Sequence, residues 1–338
     1  MKIAIDAMGG DNAPSEIVRG AARAAREIDA QIVLVGREKD IRSELTDYYW
    51  DFSSDKIEVL NAAEVIENDD KPVHAVRTKK DSSMVRAIEL VRDGQADAVL
   101  SAGNTGALMT ASLLRLGRIE GIDRPAIVSA IPVIAEDGRF ELIVDAGANS
   151  ECKPQNLMDF AYMGSVYYRS AYGVESPTVG LINIGTEETK GTPVLKETYQ
   201  LLKLSSLNFI GNVEAREVPN GPADVLVCDG FTGNVVLKLS EGVTRTMFHA
   251  IKDVIASGNA AAKAGGMLIK PSLQGLRDKF NYETYGSAPI LGVKGLVFKM
   301  HGSSSANAVY HAIISAERVA SGNVIEKIRN SIQDYQKE

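Results

Sequence analysis

Cysteine and histidine are scarce in this chain, two and four among 338 residues. Cys152 and Cys228 stand far apart with no CxxC spacing, the usage of a reducing cytosol with free thiols. So few Cys and His residues disfavour a zinc site. Long apolar runs are missing too. The longest, Ala126–Ala135, contains a Ser and a Pro and spans about half of the roughly 20 residues a membrane-crossing helix needs. The start, MKIAIDAMGG, has no charged-then-apolar leader and reads as a strand. The expected protein is therefore cytoplasmic, soluble or held at a membrane surface. A net charge of −7 argues against nucleic acid as the main partner.

Named nucleotide and hydrolase motifs are absent as well. No GxGxxG follows the first strand, which disfavours a nicotinamide dehydrogenase. GTEETKGT is not a P-loop, because its Lys precedes the glycine. There is no GxSxG elbow. Ser303–Ser305 beside His301 read as a helix cap next to a packed imidazole rather than part of a triad. Cys228, ending an apolar strand, reads as a small core residue.

What is present is a regular alternation. Hydrophobic residues make up 45% and charged residues 24% of the chain, an ordinary globular composition. Short β-branched runs predict strands at Lys2–Asp6, Gln31–Val35, Ile57–Leu60, Ala98–Ser101, Ala126–Ala130, Glu141–Val144, Val179–Ile184, Asn208–Ile210, Asp224–Val227 and Gly295–Lys299. Helical patterns fall after Pro14, at Met84–Arg92, near Gly106–Leu116, and at Asn156–Tyr172, Thr232–Ile255 and Ser304–Ala320. This order predicts one large α/β unit over 1–338, doubly wound, with a largely parallel sheet in a Rossmann-like three-layer arrangement. Asn61–Asp81 reads as irregular. Ala256–Gly286 reads as a strandless protruding excursion, a helical hairpin.

Six turns follow apolar runs and precede helices: DAMGGDNAP (6–14), SAGNTGA (101–107), DAGANSE (145–151), NIGTEETKG (183–191), DGFTGN (229–234) and HGSSSAN (301–307). Parallel strands would place all of them on one edge, where open sheets bind ligands. Glycine lets backbone N–H groups approach a ligand closely, and helix N-termini add positive dipole. An anion or phosphate site is the expectation. Its candidate lining is Gly9, Gly10, Asp11, Gly103, Asn104, Thr105 and Gly106, then Asp145, Asn149, Gly185, Gly230, Thr232 and Gly233. Lys190 lies between two glycine turns as a point charge. No ligand spacing among Asp6, Asp11, Asp145 and Asp229 supports a metal, and Asp in such turns commonly caps a helix.

The excursion is the second chemical signal. Leu273, Leu276 and Phe280 share a helical face, with Leu268 nearby. Lys263, Lys270, Arg277 and Lys279 give it a basic balance in an acidic chain. Such a segment suits an anionic membrane surface or an acidic partner; a dimer contact or a core-facing helix is the other reading.

In combination and order, DAMGGDNAP, SAGNTGA, DAGAN, NIGTEETKG and DGFTGN resemble the bacterial PlsX-type phosphate acyltransferases, from Lys2 to about Ala320. The resemblance implies transfer of a fatty acyl group from acyl carrier protein to inorganic phosphate. It implies acyl phosphate passed on to phosphatidic acid synthesis through a glycerol-3-phosphate acyltransferase. It also implies a homodimer, no metal or nucleotide cofactor, and peripheral attachment to the cytoplasmic membrane. Within that chemistry Lys190, Asn234 and Asp229 are the candidate catalytic residues. Lys190 would clamp phosphate or oxyanion, Asn104, Asn149 and Asn234 would supply amide donors, and Asp229 would orient Lys190 or a turn. His74 is a weaker candidate, and Arg77, Lys79 and Lys80 offer a basic approach for the carrier. A phosphotransacetylase-like enzyme using coenzyme A thioesters, and a non-catalytic lipid- or carrier-binding scaffold, remain alternatives.

Overall fold

A computed structural model of the chain describes residues 1–48, 56–133, 138–279 and 287–337. The first half comprises β1 (Lys2–Asp6), α1 (Ser15–Ala24), β2 (Gln31–Gly36), α2 (Glu38–Tyr48), β3 (Ile57–Asn61), α3 (Pro72–Thr78), α4 (Ser83–Arg92), β4 (Ala98–Ser101) and α5 (Thr105–Arg115). The middle comprises β5 (Ala126–Pro132), β6 (Phe140–Val144), α6 (Pro154–Tyr172), β7 (Thr178–Asn183), α7 (Pro193–Leu204), β8 (Asn208–Glu214) and β9 (Val225–Val227). The last part holds α8 (Gly230–Ser257), α9 (Ala260–Lys279), β10 (Ala288–Leu291), β11 (Leu296–Lys299), α10 (Ala306–Ala320) and α11 (Val324–Tyr335).

The strands join in one sheet in the order β3-β2-β1-β4-β11-β10-β5-β6-β9-β7-β8. Side chains alternate across it. Ile3, Ile5, Ile32 and Leu34 point into a core shared with α1, α6, α10 and α11. Ala4, Val33, Val35 and Val99 point into a second core shared with α3, α4 and α5. The two-residue period of the strands thus produces the three layers. The fold class is the expected one: α/β, mostly parallel, with helices on both faces.

Strand direction differs from the expectation. β3, β2, β1, β4 and β11 are mutually parallel. β10 runs antiparallel to both β11 and β5, and β5 antiparallel to β6. β6, β9, β7 and β8 are then parallel to one another. Three reversals in a row leave the second parallel block pointing opposite to the first. The turns after β1, β4 and β11 therefore leave one edge of the sheet, and those after β6, β7 and β9 leave the other.

Three local expectations also change. Residues 61–81 are not wholly irregular, since Pro72 opens α3. The hairpin starts earlier than Ala256, because its first arm is the distal half of the unbroken α8. Asn208–Ile210 extends to Glu214 as β8. Phe280 and the Lys279 side chain lie outside the described residues. Among the described residues, no helix is long and apolar enough to cross a membrane.

Glu141 on β6 is fully buried, and neither of its carboxylate oxygens has a hydrogen-bond partner among the described residues. Burial pushes its pKa up to about 9, with Arg139 pulling it down and Asp224 pushing it further up. A carboxyl whose folded pKa lies above its unfolded value stabilises the fold fully at pH below the unfolded value. That contribution is lost as pH rises through about 9. In urea titrations Glu141→Gln should match the parent at pH 5 and exceed its stability by about 1–3 kcal/mol at pH 9. Parallel pH profiles for the two proteins would contradict the assignment.

Candidate functional site

The Asp145 carboxylate organises the edge formed by β6, β9 and β7. Its Oδ1 accepts the N–H groups of Ile127 (3.1 Å), Gly147 (3.0 Å) and Ala148 (2.9 Å). Its Oδ2 accepts Ala148 N–H (3.1 Å), Asn149 N–H (2.7 Å) and the Asn149 side-chain amide (2.8 Å). Burial raises its pKa, and these donors pull it back. The turn so made is the seat of α8. Gly230 N–H donates to Asn149 O at 2.7 Å. A Cβ on Gly233 would lie 1.9 Å from the Asp145 carbonyl oxygen, so only glycine permits this approach. Asp229 caps α8, accepting Thr232 N–H (2.8 Å) and Thr232 Oγ–H (3.0 Å). Asn234 sits one turn further on, its side chain beside Gly147.

The loop carrying Lys190 leaves the same edge, because β7 pairs with β9 and β9 with β6. Two buried asparagines hold it. Asn183 donates to Lys190 O (3.3 Å) and to Asn212 Oδ1 (3.1 Å), and Asn212 donates to Glu187 O (2.9 Å). Lys190 and Glu187 flank Gly185, where a Cβ would meet both side chains. Glu188 pairs with Lys203 at 2.7 Å. Lys190 is exposed, and no hydrogen bond or ion pair is made by its ammonium among the described residues. The three candidate catalytic residues therefore share an edge. No contact joins Asp229 to Lys190, however, and the Asp229 carboxylate is spent on its own helix.

The other edge holds the rest. Ser101 Oγ–H donates to buried Asp6 at 2.6 Å, and Gly103 N–H donates to Ser101 Oγ at 3.1 Å. Gly9 packs against Asp6 and Gly103, and Gly10 against Ala102 and Gly302. Asp11 N–H donates to Gly302 O (2.7 Å), and Asn68 Nδ2 donates to Asp11 Oδ1 (3.2 Å). Asn104 caps α5 through Ala107 N–H (2.9 Å) and donates to Asn68 O (2.8 Å). Thr105 and Gly106 open that helix and are exposed. The Lys299 ammonium donates to Ala102 O (3.1 Å) and to Met300 O. Burial lowers its pKa to about 8, against the pull of Asp6 and Asp11. His301 Nδ1 lies 2.9 Å from Ser303 Oγ and accepts Ser303 N–H at 3.2 Å, which places its neutral-form proton on Nε2. Partial burial lowers the pKa of His301, with Lys238 and Lys299 acting in the same direction.

The six turns thus form two clusters rather than one. Lys238 of α8, nine residues beyond Asp229, reaches the field of His301. The thirteen lining candidates are divided between two edges of the sheet.

Several residues escaped the sequence reading. Arg118 and Arg124, with Asp123, Ala148 and Asn149, line a cavity of about 430 Å³ below the Asp145 turn. Their signal was two arginines flanking a short loop before β5. Asn212 and Lys299 belong to no motif, and Asn183 opens NIGTEETKG without a spacing that singles it out. His74 is exposed on α3, and Lys79 is tied to Val65 O and Asp70, leaving Arg77 and Lys80 exposed. Both thiols are poor nucleophiles. Burial lifts Cys152 to about 12 and Cys228 well above its ordinary value. Among the described residues, no group of three or more His, Cys, Asp or Glu could hold a metal.

On the hairpin, Lys263, Lys270, Leu273 and Arg277 line a cavity facing α8. Leu268 is 82% exposed on the outer side, and Leu276 is also exposed.

The fold is shared with solved phosphotransacetylases. The phosphotransacetylase of Streptococcus pyogenes aligns over 95% of this chain and 94% of its own, with a TM-score of 0.64 and 19% identity. At sequence level the chain belongs to the family described as fatty acid synthesis protein, whose model matches residues 1–327. It is 49% identical over 332 residues to the phosphate acyltransferase of Alkaliphilus oremlandii, covering 98% of this chain and 97% of that one. It is 47% identical over 338 residues to the phosphate acyltransferase of Clostridioides difficile, covering 100% and 98%.

Proposed function

We propose that this chain is an acyltransferase that moves a fatty acyl group from acyl carrier protein to inorganic phosphate, yielding acyl phosphate for phospholipid synthesis. The full-length likeness to phosphate acyltransferases carries this reading. The geometry supplies the means. Phosphate is anionic at neutral pH and needs positioning more than deprotonation. A thiolate leaves readily, so the main demand is on the oxyanion of the tetrahedral intermediate.

Of the three asparagines expected to donate, Asn149 and Asn104 are committed to the scaffold. Asn234 is the one whose amide has no partner among the described residues. It stands in the first turn of α8, where the helix dipole favours developing negative charge. The unengaged Lys190 ammonium on the neighbouring loop is the clamp for phosphate. Asp229 acts by seating the helix rather than by touching Lys190.

The same reading extends to assembly. Val235, Leu239, Val243, Met247 and Val254 form an exposed apolar stripe along α8, the pattern of a helix that pairs with a second copy. Met267, Leu268 and Ile269 project from α9 beside Lys263 and Lys270, which suits reversible attachment to an anionic membrane surface. The chain is then a peripheral homodimer on the inner face of the cell membrane, releasing an oily product to a glycerol-3-phosphate acyltransferase.

Lys190→Ala should lower kcat/KM for phosphate by about 100-fold or more in a phosphate-dependent thioester-cleavage assay with acyl carrier protein. Near-normal turnover at saturating phosphate would make Lys190 a binder at most, and an equal rate with acyl-coenzyme A would favour a phosphotransacetylase-type donor. Sedimentation and vesicle flotation separate the two apolar surfaces. Leu239→Glu should yield monomers, while Leu268→Asp should stay dimeric and lose binding to anionic vesicles. If neither variant departs from the parent, both assignments fail.

A further inference from the structure

Helix α8 has a second use for the face turned away from its exposed stripe. That face and the inner side of α9 enclose a cavity of about 1160 Å³ that continues onto the end of β5. Its apolar wall includes Ile131, Leu237, Phe248, Ile251, Ile255 and Leu273. The two helices meet closely at Gly266, where a Cβ would lie 2.2 Å from the Ile255 side chain. Ligand pockets commonly have volumes of about 300–1,000 Å³, so this one is large enough for a long flexible molecule.

Two observations identify its occupant. One is position. Leu237 is three residues beyond Asn234, about one helical turn, and Glu241 both lines the cavity and contributes to the field at His301. The cavity's inner end thus begins about one helical turn from Asn234. The other is charge. Among the described residues, Arg245, Lys252, Lys263, Lys270 and Arg277 line it against the one carboxylate of Glu241, so an apolar wall is rimmed by bases. A molecule with a long hydrocarbon tail and an anionic head matches both features.

We propose that this groove between α8 and α9 holds the fatty acyl chain during transfer, with the reacting carbonyl at the Leu237 end and the tail directed toward Ile255. The inference rests on the acyl-transfer reading and adds where the chain lies and how its length is sensed. Because the same hairpin carries Leu268 on its outer side, the groove gives the product a covered route along α8 to the surface.

Each methylene buried in such a groove raises affinity by up to about fourfold. For the parent protein, kcat/KM should therefore climb from butyryl to palmitoyl carrier protein. Thr244, half-buried in the groove wall, is the place to block it. Thr244→Trp should cut the palmitoyl-to-butyryl ratio of kcat/KM at least tenfold. Leu273→Gln, on the opposite wall, should cut it severalfold, which guards against one variant failing to fold. Binding of parinaric acid, a fluorescent long-chain carboxylate, gives a readout independent of turnover. It should saturate on the parent full-length chain and weaken at least tenfold in Thr244→Trp. An equal loss for both chain lengths in the two variants, or unchanged parinaric acid binding, would overturn the proposal. If the parent binds the probe and Thr244→Trp blocks it, but no phosphate-dependent cleavage occurs, the groove stands and the acyl-transfer reading falls.

Discussion

The grip of Asp145 on its own turn is the contact on which the functional half of the molecule depends. A buried carboxylate is costly unless its lone pairs are filled, and here four backbone N–H groups and the Asn149 amide fill them. The turn becomes a rigid concave seat, and Gly230 and Gly233 let the first turn of α8 lie directly in it. The placement of Asn234 follows from that seat, and so does the heading of a helix 28 residues long. An aspartate that a sequence search would nominate for chemistry serves instead to aim the helix that carries the chemistry.

The reversal of strand direction gives that helix its span. Since β10 and β5 turn the second parallel block over, α8 starts at one edge and crosses toward the other. It joins two polar clusters that a wholly parallel sheet would have merged. Its seated end offers Asn234 beside the Lys190 loop, one flank offers an apolar stripe, and the opposite flank walls the basic-rimmed groove. On the proposed reading, reaction, pairing and chain binding fall to different faces of one element, with α9 closing the groove on the far side.

Much of this was legible in the residues. Strand positions followed from β-branched runs, and several ended at glycine turns followed by a capped helix, as with Asp229, Asn104 and Thr192. The hairpin announced itself through its Ala and Gly content and its bases. Strand direction was not legible. It depends on β10, whose four residues Ala288–Leu291 look like loop sequence and whose pairing with β5 joins positions far apart in the chain. Helix α11 carries a readable buried stripe, Val324, Ile328 and Ile332, that went unread. Asn183, Asn212 and Lys299 act through side-chain hydrogen bonds, which leave no periodic trace.

In the proposed reaction phosphate itself attacks the thioester carbonyl and the carrier thiolate leaves, with no acyl-enzyme on the way. The most direct measurement is a turnover with palmitoyl carrier protein and phosphate labelled at every oxygen with the heavy isotope, read by mass spectrometry of product and protein. Acyl phosphate retaining all four labels, with no acylated protein trapped by rapid quenching, is the predicted result. A covalently acylated protein that goes on to form product, or unlabelled fatty acid released in place of acyl phosphate, would contradict it.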